Sequence, residues 1–414
     1  MRRYRFYLIA GVCLLTSWIG YALAGRLVAQ VVAGRFGSGL IRLGQGNVSD
    51  PIPFVQHRLR EALWLATLVL LWIAVHGLLD RLIRARIKYC RGVVHGVAGF
   101  VCLNLWIYAA SNTALFWGAM GIGAGIQLQM QFHFKRILLE ENPMSRRAVL
   151  MGSSQTRAQI NEELLNQRLG TNFWTAKLTY AGVQGYDLLL LERQIRRANP
   201  QVVICYVTEG YFYIGPTSAT LPCFFQFRDV PDGWRRGGFR YFLGKYIFAG
   251  LFGDLLPLFR CREVLAQRLF GPTIINLKQL QYDSSLQSDL EARARENAAA
   301  FHLSGVSDFE KQAFEDFVAR CQQANRQVIL LVGGYNPILA RQIDPAIHAD
   351  MIRFLDRLKS RYSRVVLVPQ GDLPEQTPAD YEDLTHVNRD MQRRFSADLA
   401  DRLPKLLSQG QDAR

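Results

Sequence analysis

Val149-Leu150-Met151-Gly152-Ser153-Ser154-Gln155 is the stretch whose reading decides the rest of the chain. An apolar run stops at a glycine and two serines, the composition of a strand that turns sharply and exposes a hydroxyl at its carboxyl end. Its counterpart lies near the C-terminus, where Asp383-Leu384-Thr385-His386 sets a carboxylate three residues before an imidazole. Nucleophile, base and orienter are the three parts of triad chemistry. Only a fold can bring two such distant stretches together.

Working outward from Gly152, strand and helix patterns alternate. Ala148–Gly152 reads as a strand, Thr156–Leu169 as a helix and Phe173–Tyr180 as a second strand. Leu188–Ala198 has helical spacing, and Val202–Val207 is an apolar strand. The rhythm resumes with a helix at Phe309–Ala324, a strand at Val328–Val332, a helix at Ile347–Arg361 and a strand at Val365–Val368. A last helix covers Asn388–Leu403. Strands separated by helices imply a parallel sheet covered on both faces, with a site beyond the carboxyl ends of its strands. The fold class is therefore α/β in three layers, α/β/α, of flavodoxin-like type, over residues 146–405. Residues 211–305 break the rhythm as an insertion, and 406–414 form a polar tail. Within the insertion, Phe239–Phe259 is expected to be an amphipathic surface helix or lid, or an ordinary buried helix.

Ser154 is the nucleophile candidate, although Ser153 or Ser154 could equally cap the following helix. Of the seven histidines, only His386 follows an aspartate at a spacing that lets a loop carboxylate hold the ring. Asp383 is that carboxylate. His57, His302 and His348 have no adjacent strand end or glycine-rich turn.

Gly-Ser-Ser-Gln after a first strand, Gly185 in a Val-Gln-Gly-Tyr turn and Asp-x-x-His before the last helix resemble the SGNH/GDSL hydrolase superfamily across residues 147–405. The resemblance implies Ser154 as nucleophile, His386 as base, Asp383 as its partner, and the amides of Ser154 and Gly185 as an oxyanion hole. It departs at two points. Ser153 stands where the family has aspartate, and Tyr206-Val207-Thr208-Glu209-Gly210 replaces its Gly-x-Asn-Asp block, so the asparagine donor is missing. Thr208, or Asn336 in the Gly333-Gly334-Tyr335-Asn336-Pro337 loop, is the replacement donor. Glu209 and Tyr335 are the substrate-binding candidates, with Glu209 binding a cationic or hydroxyl-bearing acceptor or pairing with an arginine. With membrane helices in front, the chain looks like the membrane-anchored acyltransferase branch, which includes the D-alanyl transfer protein and exopolysaccharide acetylation accessory proteins. That branch implies a multi-span membrane acyltransferase as partner and O-acyl transfer to a cell-envelope polysaccharide. A carbohydrate or lipid esterase and a non-catalytic scaffold are the alternatives. No cofactor or metal is expected.

The first 135 residues read as a membrane region. Three uncharged runs suggest spans at 6–25, 62–80 and 93–113, since a span needs roughly 20 apolar residues. Glycines at 118, 121, 123 and 125 mark 114–134 as an interfacial or re-entrant segment. Ala22-Leu23-Ala24 also resembles a signal-peptide cleavage site. The basic loop Arg81, Arg84, Arg86, Lys88 and Arg91 is expected in the cytoplasm, which places the catalytic domain outside the inner membrane, in the periplasm. The net charge of +15 suits these loops and an anionic bilayer surface touched by Arg235, Arg236, Arg240, Lys245 and Arg260. No recognition motif points to nucleic acid. Seven cysteines with no paired spacing give neither a zinc site nor a disulfide framework, although Cys223 and Cys261 could pair in an oxidising compartment.

Overall fold

The computed structural model describes residues 51–86, 91–121, 128–141, 146–170, 173–215, 224–241, 247–261, 265 and 287–409. The chain divides into two compact units: Met1–Gly125 with Phe252–Gly271, and Ile126–Leu251 with Pro272–Arg414.

The second unit is built on five parallel strands, β1 (Arg146–Gly152), β2 (Phe173–Thr179), β3 (Val202–Val207), β4 (Gln327–Val332) and β5 (Val365–Val368). Their order across the sheet is β2-β1-β3-β4-β5, the doubly wound order of flavodoxin-like folds. One register row runs Ala176, Val149, Val203, Val328, Val365. All five side chains of that row point into the same core. That face is covered by the helices Gly185–Ile195, Gly305–Gln323 and Pro345–Arg361 through Leu188, Phe314 and Leu355, among others. Alternate residues Leu150, Ile204, Ile329 and Val366 fill the other face, under Leu165, Phe395 and Leu399 of the helices Glu162–Leu169 and Arg389–Gln409. Strands buried on both sides read as unbroken apolar runs, which is how Val202–Val207 and Val328–Val332 appear in the sequence.

Four expectations change. The helix expected over Thr156–Leu169 is two helices, Ser154–Gln159 and Glu162–Leu169. Asn161 starts the second by accepting from the Leu164 amide at 3.0 Å. Lys177 Nζ donates to the carbonyls of Arg157 and Ile160, and Gln392 Nε2 to those of Arg157 and Ala158, so the broken end keeps its hydrogen bonds. The final helix continues to Gln409, into the segment read as a polar tail.

The insertion, third, is no single lid helix. Its described parts include the short helices Gly238–Tyr241, Ile247–Leu255 and Pro257–Arg260, the last starting at a proline that cannot continue a preceding helix. Arg236, expected to face a membrane, instead holds Asp232 at 2.9 Å and also pairs with Asp316. Cys261 is buried, whereas Cys223 lies outside the described residues.

Fourth, the expected spans 62–80 and 93–113 fall within the helices Pro51–Arg86 and Arg91–Ala110 of the first unit. Among the described residues no helix is long and apolar enough to cross a membrane. Arg58 and Glu61 are buried as an ion pair, and the Glu61 carboxylate caps the helix Ala114–Gly121 by accepting from the amides of Ala114 and Leu115, both at 3.1 Å. The segment read as re-entrant holds that helix and the start of Leu128–Glu141. The 6–25 span and the 22–24 cleavage signal lie outside the described residues.

Phe395 is fully buried beneath the sheet, edge-on to Tyr206 with ring centroids 5.8 Å apart. Phe395→Ala is expected to destabilise the fold by about 3–5 kcal/mol, seen as a lower denaturant midpoint at an unchanged m-value.

Candidate active site

Each loop at the carboxyl edge of the sheet contributes to one cluster. Gly152, at the end of β1, has φ +152°, and a Cβ there would lie 2.2 Å from both Thr156 Oγ1 and Tyr211 Oη, so only glycine fits. Tyr211 closes over this turn and accepts from the Ser153 amide at 3.0 Å. The two serines divide the roles that the sequence left open. Ser153 is the cap, its Oγ accepting from the Gln155 amide at 3.3 Å. Ser154 is the first residue of the helix, with an amide that has no intrahelical acceptor and a hydroxyl turned away to the far loop.

That loop follows β5. Asp383 Oδ1 accepts from the amides of Thr385 at 2.6 Å and His386 at 2.7 Å, folding four residues into a tight turn. Asp383 Oδ2 is left to meet His386 Nδ1 at 2.8 Å, and His386 Nε2 stands 2.9 Å from Ser154 Oγ. With the carboxylate on Nδ1, the ring carries its proton there and presents a bare Nε2 to the serine hydroxyl. Burial would raise the Asp383 carboxyl, but the hydrogen bond and charge of His386 and the two amides bring it down to about 2. Asp383 is therefore ionised at every pH at which an imidazole can act as a base.

Asn336 anchors this loop from β4. Its Nδ2 donates to the Asp383 carbonyl at 3.3 Å, its amide donates to the Leu384 carbonyl at 3.1 Å, and its Oδ1 accepts from the Ile338 amide at 3.0 Å. These contacts make it a positioning residue for the Asp–His turn rather than an oxyanion donor. Thr208 is likewise committed: its buried hydroxyl donates to Gln155 Oε1 at 2.7 Å and accepts from Tyr335 Oη at 3.2 Å. Gly185 opens the helix after β2, and a Cβ there would sit 2.1 Å from the Glu310 carbonyl. Its backbone is thus packed on the Gly305–Gln323 helix, whose Glu310 carboxyl receives the Tyr186 amide at 2.7 Å. Burial drives Glu310 well above the usual carboxyl range.

The two substrate-binding candidates are also placed. Tyr335 Oη is spent on Thr208 and on the Gly210 amide, 2.8 Å away, while its ring lines a cleft of about 670 Å³ between the loops after β4 and β5. Tyr206, Gln370, Gln376 and Tyr381 line the same cleft. Glu209 pairs with a histidine, not an arginine: its Oε1 meets His348 Nδ1 at 2.6 Å, and its Oε2 is buried with no partner. No strand end adjoins His348 in the sequence. The signal that would have found it is Asp344-Pro345, a helix start that puts His348 on the first turn after the β4 loop.

No protein-family model and no curated protein matches this sequence. Among solved structures it is similar to a GDSL-like lipase from Bacteroides thetaiotaomicron, at 12% identity and a TM-score of 0.29, over 62% of this chain and 89% of that one. A superposition that loose establishes no relationship, so the functional reading rests on the chain's own geometry.

The hydrogen bond that its ring donates to Glu209 raises His348 above the usual imidazole value, against some desolvation. A raised folded value means that the pair stabilises the fold fully below the ordinary imidazole range and loses that contribution as pH climbs through the raised value. In an NMR titration, the His348 ring is expected to deprotonate at higher pH than a peptide imidazole, and Glu209→Gln to move it back. An unmoved titration in that variant would remove the pair from the account.

Proposed function

We propose that the chain is an SGNH-like serine acyl-ester enzyme working through an acyl-Ser154 intermediate. The observation that carries this reading is the continuous line from Ser154 Oγ through His386 to Asp383, at 2.9 and 2.8 Å. Ser154 Oγ attacks the acyl carbonyl as His386 Nε2 takes its proton, and Asp383 stabilises the imidazolium. When the tetrahedral adduct collapses, His386 returns that proton to the departing alcohol. An acceptor hydroxyl, from water or a sugar, then gives its proton to Nε2 and attacks the acyl-serine, and Nε2 returns that proton to Ser154 Oγ as it leaves.

Our preferred acceptor is a cell-envelope polysaccharide. Its support is the cleft beside the Asp–His turn, where tyrosine rings and glutamine amides suit the carbon faces and hydroxyls of sugars. We also propose that the first unit lies against a bilayer. Leu71, Leu78, Val93, Val97 and Leu105 are each more than half exposed on its helices, an apolar surface that water disfavours. On this reading the serine site faces outward from the inner membrane, and a multi-span acyltransferase supplies the acyl group.

A fluorophosphonate probe is expected to label the wild-type chain and to leave Ser154→Ala unlabelled. Full cellular function in Ser154→Ala would eliminate the serine chemistry. Ala300 is exposed, and Ala300→Cys should react with a membrane-impermeant maleimide added to intact cells. Reaction only after lysis would put the site in the cytoplasm and end the polysaccharide reading.

A further inference from the structure

Attack by Ser154 places negative charge on the former carbonyl oxygen, and preorganised donors facing that oxygen are commonly the largest catalytic contribution. The Ser154 amide can supply one. The side chains of Thr208 and Asn336 are both engaged elsewhere. Gln155 is not. It follows the nucleophile, is nine-tenths buried, and has an Nε2 that is enclosed with no hydrogen-bond partner.

Its orientation is set by a directional chain. The Gly210 amide donates to Tyr335 Oη at 2.8 Å, Tyr335 Oη donates to Thr208 Oγ1 at 3.2 Å, and Thr208 Oγ1 donates to Gln155 Oε1 at 2.7 Å. Each donor in such a chain polarises the next. The chain ends on the amide oxygen, so it makes the Nε2 hydrogens better donors while holding the group between the ends of β1 and β3. Gln155 adjoins Ser154 just after β1, and Thr208 directly follows β3.

We propose that Gln155 Nε2 is the side-chain oxyanion donor of this enzyme, with Thr208 and Tyr335 as its positioning residues. A buried N–H without a partner costs about 1–3 kcal/mol. Here that cost falls on the resting state and is relieved as the oxyanion forms, which is the differential binding that lowers a barrier. The inference rests on Ser154 being the nucleophile.

Gln155→Glu separates this role from a structural one. The carboxylate keeps an acceptor for Thr208 but replaces the donor with negative charge. With an aryl acetate as substrate, kcat is expected to fall about 10²–10³-fold, with KM little changed. Gln155→Met, close in volume and without a donor, should show the same kcat loss if the glutamate variant proves unstable. Thr208→Val should lose kcat to a smaller degree, again without a change in KM. Wild-type kcat in Gln155→Glu, or a loss carried wholly by KM, overturns the proposal while leaving the serine chemistry intact. A wild-type chain that no fluorophosphonate labels overturns the serine chemistry itself, and this role with it.

Discussion

The hydrogen bond from Ser154 to His386 closes a loop of 232 residues, and the fold is arranged so that it can form. Parallel strands put every carboxyl end on one edge of the sheet. Placing β1 beside β3, with β4 and β5 beyond, brings the first and last of the functional loops to that edge. The remaining distance is spanned by the loops themselves. The Asp383 turn folds on its own carboxylate, buries Leu384 in the core and is tied to β4 through Asn336. The imidazole therefore reaches the serine from a rigid support rather than from a free loop.

Behind the reacting groups lies a polar layer of neutral hydroxyls and amides. Tyr211 secures the Ser153 amide, Tyr335 secures Gly210, and Thr208 links Tyr335 to Gln155. Burial raises the Tyr335 hydroxyl far above its ordinary value, so it stays a neutral donor throughout the working pH range. Such a layer can hold geometry without adding charge that would compete with the Asp383–His386 pair. Glu209, beside that layer, pairs with His348.

Legibility in the sequence followed periodicity. Val202–Val207 and Val365–Val368 were readable to the residue, because strands buried on both faces are continuous apolar runs bounded by polar turns. The Asp383–His386 spacing was readable because that turn is local. The break at Ile160 was not, since the groups that satisfy its carbonyls, Lys177 and Gln392, come from a strand and a distant helix. Nor was the loss of Thr208 and Asn336 as free donors, which depends on partners remote in sequence. The apolar runs at 62–80 and 93–113 are legible as composition, whereas the burial of Arg58 and Glu61 just before the first of them, as a capping pair, is not.

The sequence by itself determined the alternation, the serine turn after β1 and the aspartate that orients His386, because each depends on neighbours within a few residues. Tertiary structure alone decided the strand order, the pairing of Glu209 with His348 and the freedom of the Gln155 amide. Those depend on which side chains from separate loops meet, and a hydrogen bond between residues far apart leaves no periodic trace in the chain.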